Sequence, residues 1–304
     1  MGASAVRLLV AFALLASVAP ARAQDIEPRS YSNAPVGVNF LIAGYVYTDG
    51  GLSFDPSLPI ENAHLSTSNA VLAYARVLDV WGKSAKLDVV VPYTDLSGSA
   101  DYAGQPLERK IDGFGNPSFR FSVNLYGAPA LGLKDFARYE QDVIVGASLR
   151  VTAPVGQYDE DRLVNISTNR WSFKPELGIS KAVGPWTFEA TTAVTLFTDN
   201  TDFYGATTRS QNPFYSFQGN AIYNFASGVW AAAGATYLVG GRTTIGGVLR
   251  NDLQQNWRVG ALLAFPVNAR NSVKVYASSG VSARTGNDFD AVGIAWQYRW
   301  GGGI

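Results

Sequence analysis

Apolar and polar positions alternate with a period of two along most of this chain, the mark of strands with one apolar and one polar face. The clearest stretch is the last, residues 288–300. Val292, Ile294, Trp296, Tyr298 and Trp300 fall on one face; Gly293, Ala295, Gln297 and Arg299 fall on the other. Aromatics near a strand end suit a membrane interface, where a ring buries its body and wets its tip. Such a strand has the general look of the closing strand of a bacterial outer-membrane barrel. The competing reading is a half-buried strand of a soluble sandwich.

The rest of the chain repeats the pattern. Alternation predicts strands over residues 36–46, 68–81, 87–93, 119–125, 143–151, 171–180, 186–196, 215–225, 229–239, 256–265 and 273–281, twelve with the last. Each is about the length that a tilted strand needs to cross the bilayer core. Long polar connections (48–66, 96–113, 153–168, 198–212, 240–253) mostly alternate with short turns (82–84, 183–185, 227–228, 268–271). Residues 127–141 are too long for their place in this rhythm, and residues 284–287 too short. Outer-membrane barrels have long extracellular loops and short periplasmic turns, and an even strand number puts both termini in the periplasm. A sandwich has no reason to keep that rhythm. The expected fold is all-β: a transmembrane antiparallel barrel of about twelve strands.

Composition agrees. Residues 1–23 read as a signal peptide: Arg7, an apolar run over 8–20, and Ala21-Arg22-Ala23 before a cut at Gln24. The barrel domain then occupies 24–304, with residues 24–35 as a polar periplasmic lead-in. No later stretch is apolar for the length a spanning helix needs. There is no Cys, so neither a disulfide framework nor thiolate chemistry is available. Basic and acidic residues number 24 each, which argues against nucleic acid as a partner. Thirty-one glycines, 12% aromatics and only 16% charged residues suit a barrel that is apolar outside and lined with small residues.

Four stretches carry a family resemblance: residues 115–131 (GNPSFRFSVNLYGAPAL), 154–181 (PVGQYDEDRLVNISTNRWSFKPELGISK), 253–267 (LQQNWRVGALLAFPV), and the closing IAWQYRWGGG. Together they resemble the "putative MetA-pathway of phenol degradation" family of bacterial outer-membrane transporters, over essentially the whole mature chain. The resemblance implies an outer-membrane barrel and a link to aromatic-compound degradation. It brings no catalytic motif, and a shared barrel does not fix a substrate.

Candidate chemistry is sparse. The one histidine, His64, falls in the first long loop; a hydrolase would need it to meet a serine and an orienting side chain at the rim. With one His and no Cys, no metal centre and no cofactor are expected. The acidic groups Asp159-Glu160-Asp161 and Asp199/Asp202 lie in long loops and lack the ordered spacing of a calcium loop. Gly301, Gly302 and Gly303 form no phosphate-binding context. The inward face is more informative. Parity assigns to it Arg76, Arg120, Arg150, Lys174, Arg258, Lys274 and Arg299, against Asp88, Glu176 and Glu189. Charges facing lipid are costly, so inward placement is close to forced. The basic excess reads as a constriction favouring anions, or as an ion-pair network that plugs a narrow barrel.

These features predict a monomeric barrel in contact with outer-membrane lipid and lipopolysaccharide, passing small solutes by diffusion; the family resemblance implies aromatic or other sparingly soluble compounds among them. A closed barrel acting through its loops and a membrane-bound hydrolase are the rivals. Residues 127–141 are expected either to stay periplasmic or to fold into the lumen.

Overall fold

The computed structural model describes residues 27–53, 60–102, 104–162 and 164–304. The expected leader, the cut at Gln24 and the tip of the first long loop lie outside the described residues. The strands are β1 (Val38–Ser53), β2 (Ile60–Val80), β3 (Lys83–Tyr102), β4 (Gln105–Phe114), β5 (Ser118–Tyr126), β6 (Val143–Thr152), β7 (Ser172–Val183), β8 (Trp186–Phe197), β9 (Asn200–Phe203), β10 (Thr207–Gln211), β11 (Phe214–Asn224), β12 (Trp230–Gly240), β13 (Thr243–Ile245), β14 (Val248–Leu249), β15 (Gln254–Pro266), β16 (Asn271–Ala283) and β17 (Gly286–Gly301). One short helix, α1 (Leu133–Phe136), sits between β5 and β6.

Twelve strands close a barrel in the order β1-β2-β3-β5-β6-β7-β8-β11-β12-β15-β16-β17, every neighbour antiparallel. The seam is the pairing of β1 with β17, from Val38↔Gly301 to Ser53↔Gly286. Closure pairs each of these twelve strands on both sides, which suits a lipid core that would not tolerate an open edge. Outside, large apolar side chains stand exposed in a belt that includes Leu72, Leu177, Phe188, Val292 and Ile294. Aromatic groups bound the belt at both ends. At the end holding the tight turns, Trp186 meets Tyr223 at 4.9 Å and Tyr298 stacks on Trp300 at 5.6 Å. At the other, Tyr237 meets Trp257 at 4.8 Å. Tight turns mark the periplasmic end of this kind of barrel.

The strands outrun the sequence pattern at the extracellular end. β2 has 21 residues and β3 has 20, and β4 folds back along the upper half of β3. Residues 96–113, expected as a loop, are mostly this hairpin. His64, also expected in a loop, lies on β2 opposite Gly51 and Ser99. Beyond the bilayer both sheet faces are wet, so apolar alternation disappears while the hydrogen-bond ladder continues. β9, β10, β13 and β14 form a second, small sheet within the long loops.

On β1 and β2 the faces are reversed from the expectation. Ala43 pairs with Leu72 and Trp296, and Tyr45 with Ala70 and Ile294. Paired residues share a face, and Leu72, Tyr45, Ile294 and Trp296 are exposed on the lipid side. Phe40, Ile42, Val46, Val71, Ala73 and Val77 therefore point inward. Both faces of these strands are apolar, so the pattern carries little contrast and a one-residue slip inverts the assignment.

Candidate functional site

Crossing the lumen is a segment that the sequence pattern leaves as a lead-in. From Gly37, whose N–H bonds to Val77 O at 3.0 Å, the chain runs backwards into the barrel rather than away from it. Its anchor at the periplasmic rim is the overlong connection at residues 127–141. Val36 N donates to Leu131 O at 2.9 Å, and Asn33 Nδ2 to Pro129 O at 3.1 Å. That connection also pairs with the neighbouring turn, Ser84 N to Ala128 O at 3.0 Å and Ala130 N to Gly82 O at 2.9 Å. Its length is explained: it stays at the rim and holds the root of the inserted segment.

Tyr31 comes next, 3% exposed. Its ring lies where side chains of β6 and β7 would be, over Gly146 and Gly178. A Cβ on either glycine would stand 2.1 or 2.2 Å from the ring. The hydroxyl donates to Glu176 Oε1 at 3.0 Å, with Ser148 Oγ at 3.3 Å. Burial and the nearby Glu176 carboxylate push the phenol pKa up. Next along the segment, Arg29 N donates to Glu189 Oε2 at 2.8 Å. The Arg29 guanidinium bonds to Asn224 Oδ1 and lies 4.3 Å over the Trp230 ring. Burial lowers its pKa against the opposing pull of Glu189. Lys86 Nζ donates to Ser30 O at 2.9 Å.

The innermost described residue, Glu27, is held by two arginines: Arg120 NH1 at 2.8 Å and Arg150 NH2 at 2.7 Å. Burial alone would raise its pKa. Attraction by Arg150, Arg120 and Lys174 outweighs burial and holds the carboxyl well below the usual carboxylate range. Arg120 Nε also bonds to Asp88 Oδ2 at 2.9 Å, and Lys174 Nζ lies 3.5 Å from Glu176 Oε2.

By register, Asp88, Arg120, Arg150, Lys174, Glu176, Glu189, Arg258 and Lys274 all point into the lumen. The first six line one wall, from β3 to β8, and engage the inserted segment or one another. Arg258 stands apart. It is 2% exposed, with NH1 on Phe289 O at 2.8 Å and its guanidinium 3.8 Å over the Phe289 ring. Lys274 Nζ lies 5.9 Å over Tyr276. Arg299 has inward parity but reaches the rim, where Nε donates to Ala269 O at 2.8 Å. Arg76 is a correction. It pairs with Leu87 and Asn39 on the lipid-side face and is exposed near the periplasmic rim, a consequence of the reversed faces of β2. There a long basic side chain can reach headgroup water. Sequence reasoning missed Glu27, Arg29, Tyr31 and Lys86. The signal available was the pair of inward glycines, Gly146 and Gly178, side by side in register, which leave a hole that something must fill.

His64 Nε2 lies 3.1 Å from Asp49 Oδ1, and Tyr47 OH donates to the same carboxylate at 3.1 Å. The expected acidic patch is partly neutralised: Asp159 lies 3.8 Å from Arg109 and 3.9 Å from Arg162. Among the described residues, no group of three or more His, Cys, Asp or Glu is arranged to hold a metal.

A closed antiparallel barrel with an apolar outer belt, aromatic girdles and most of its mid-strand charges turned inward defines the protein as an outer-membrane β-barrel. The chain belongs to the family described as "Putative MetA-pathway of phenol degradation", whose model matches residues 44–298. Its fold is similar to that of an outer membrane channel from Pseudomonas putida F1: TM-score 0.78 and 18% identity, covering 91% of this chain and 100% of that one. The transport unit of the autotransporter AIDA-I from Escherichia coli is more distant, with TM-score 0.52 and 9% identity over 98% of this chain and 97% of that one. The beta domain of the Bordetella autotransporter BrkA has TM-score 0.52 and 12% identity, over 87% of this chain and 100% of that one. No curated protein matches the sequence.

Proposed function

We propose that this protein is a passive channel of the bacterial outer membrane for small solutes, aromatic compounds among them, gated by its own N-terminal segment. The observation that carries the reading is the two-sided lumen. The charged wall is taken up by residues 27–36, whereas the opposite wall, from β17 to β1 and β2, carries mostly apolar or small residues at mid-height. Phe40, Ile42, Val46, Val71 and Ala73 line it with Ala291, Gly293 and Ala295. A solute with a ring can slide along that wall while its polar group faces the other. The inserted segment narrows the path, and its contacts are individually modest: charge-assisted hydrogen bonds contribute about 1.5–3 kcal/mol each. It can therefore shift without unfolding the barrel.

The test is single-channel recording of refolded protein in planar bilayers, with benzoate and phenol added afterwards. Discrete steps that these solutes block support a pore with a path for aromatics. A folded, heat-modifiable and electrically silent barrel overturns the channel reading and turns attention to a closed barrel acting through its loops.

A further inference from the structure

Two arginines are buried together where the long loops meet above the lumen. Arg170 precedes β7 and is 2% exposed; Arg209 lies on β10 and is 4% exposed. Arg170 NH2 bonds to Gln211 Oε1, and Gln211 follows Arg209 by two residues, so both share one face of β10. The guanidiniums rest on aromatic rings, Arg170 at 4.3 Å over Phe197 and Arg209 at 5.3 Å over Phe203. Phe197 ends β8 with inward parity, so the pair sits at the extracellular mouth of the lumen.

Their hydrogen bonding is incomplete. Nε and NH1 of Arg170 and Nε and NH2 of Arg209 are buried without a partner among the described residues. Asp199 attracts Arg170 and Asp252 attracts Arg209, while the Asp252 carboxylate accepts from Thr243 N at 2.9 Å and Thr243 Oγ1 at 2.6 Å. Burial pushes Arg209 down to about 10 against the pull of Asp252, and burial together with Arg209 lowers Arg170 well below its usual value. Two like charges with four unsatisfied nitrogens make an expensive arrangement. An oxyanion relieves both costs, since guanidinium forks match the oxygens of a carboxylate or phosphate.

We propose that Arg170 and Arg209 form a binding site for the oxyanion group of a small organic solute, with Phe197 and Phe203 beside it to receive an attached ring. The site goes beyond the channel reading and does not depend on conduction. It is tested by isothermal titration of the full, refolded chain in detergent, with sodium benzoate and with inorganic phosphate as separate probes. The expected result is saturable binding of benzoate, weakened about tenfold or more in R170Q and in R209Q. Phosphate binding with the same dependence supports a general oxyanion site. Thermal unfolding of the unaltered protein gives a second reading that needs no variant: its midpoint should rise with benzoate or phosphate concentration relative to chloride. No saturable binding of either anion, or binding unchanged in both variants, overturns the proposal.

Discussion

From β3 to β8 the inward positions carry Lys86, Asp88, Arg120, Arg150, Lys174, Glu176 and Glu189. Across the lumen, from β17 to β2, the same positions carry Ala295, Gly293, Gly44, Ile42, Phe40 and Ala73. The outer faces of both halves are alike, because both meet lipid. The inner faces differ because only one half meets a polypeptide. Buried charges persist where a partner satisfies them, and here Glu27, Arg29, Ser30 and Tyr31 supply much of that partnership. The opposite wall has nothing to hold, so small and apolar residues leave it smooth. The lesson is that an inward charge in a narrow barrel need not be a selectivity filter; it can be part of a socket for an inserted segment of the same chain.

Several substitutions test this contrast. The largest effect is expected from G178L, which drives a side chain into the space of the Tyr31 ring. Expulsion of the segment should raise single-channel conductance several-fold while the barrel keeps its heat-modifiable migration on gels. Next is R120Q combined with R150Q, which removes the hold on Glu27. At about 1.5–3 kcal/mol per lost charge-assisted bond, the open fraction in bilayer recordings should rise tenfold or more. On the other wall, I42D should weaken block by benzoate several-fold and leave the spontaneous gating rate unchanged.

A smaller effect concerns pH. The Glu27 carboxyl titrates below the usual range in the folded protein, so its contribution is fully present above the ordinary Glu pKa and is lost only as pH falls through the lowered value. Gating recorded at neutral pH and near pH 5 should be the same, with opening only at stronger acidity. Smallest of all is R76A, which should leave the reversal potential in a salt gradient unmoved, because Arg76 faces outward.

The strands that cross the bilayer were legible because lipid demands apolar residues on one face while the lumen accepts polar ones, as on β5 to β8 and β15 to β17. β1 and β2 lack that contrast: Val46 and Val71 inside look like Leu72 and Tyr45 outside, so parity alone places Arg76 on the wrong face. The polar extensions around His64 and residues 96–113 were opaque for the opposite reason, having water on both faces. Most of the charged wall was legible by parity. What it holds was not. Residues 27–36 have no periodicity, and their conformation is set by a socket assembled from β3, β5, β6, β7, β8 and β11. The loop cluster of Arg170 and Arg209 was equally hidden, since only the fold of the long loops brings them together.

The most direct test of the gate is single-channel conductance of the mature chain with residues 27–33 deleted, compared with the intact protein in the same planar bilayers. The account predicts brief or small steps for the intact protein and large, long-lived openings for the deletion. Equal conductance and equal open times would contradict it.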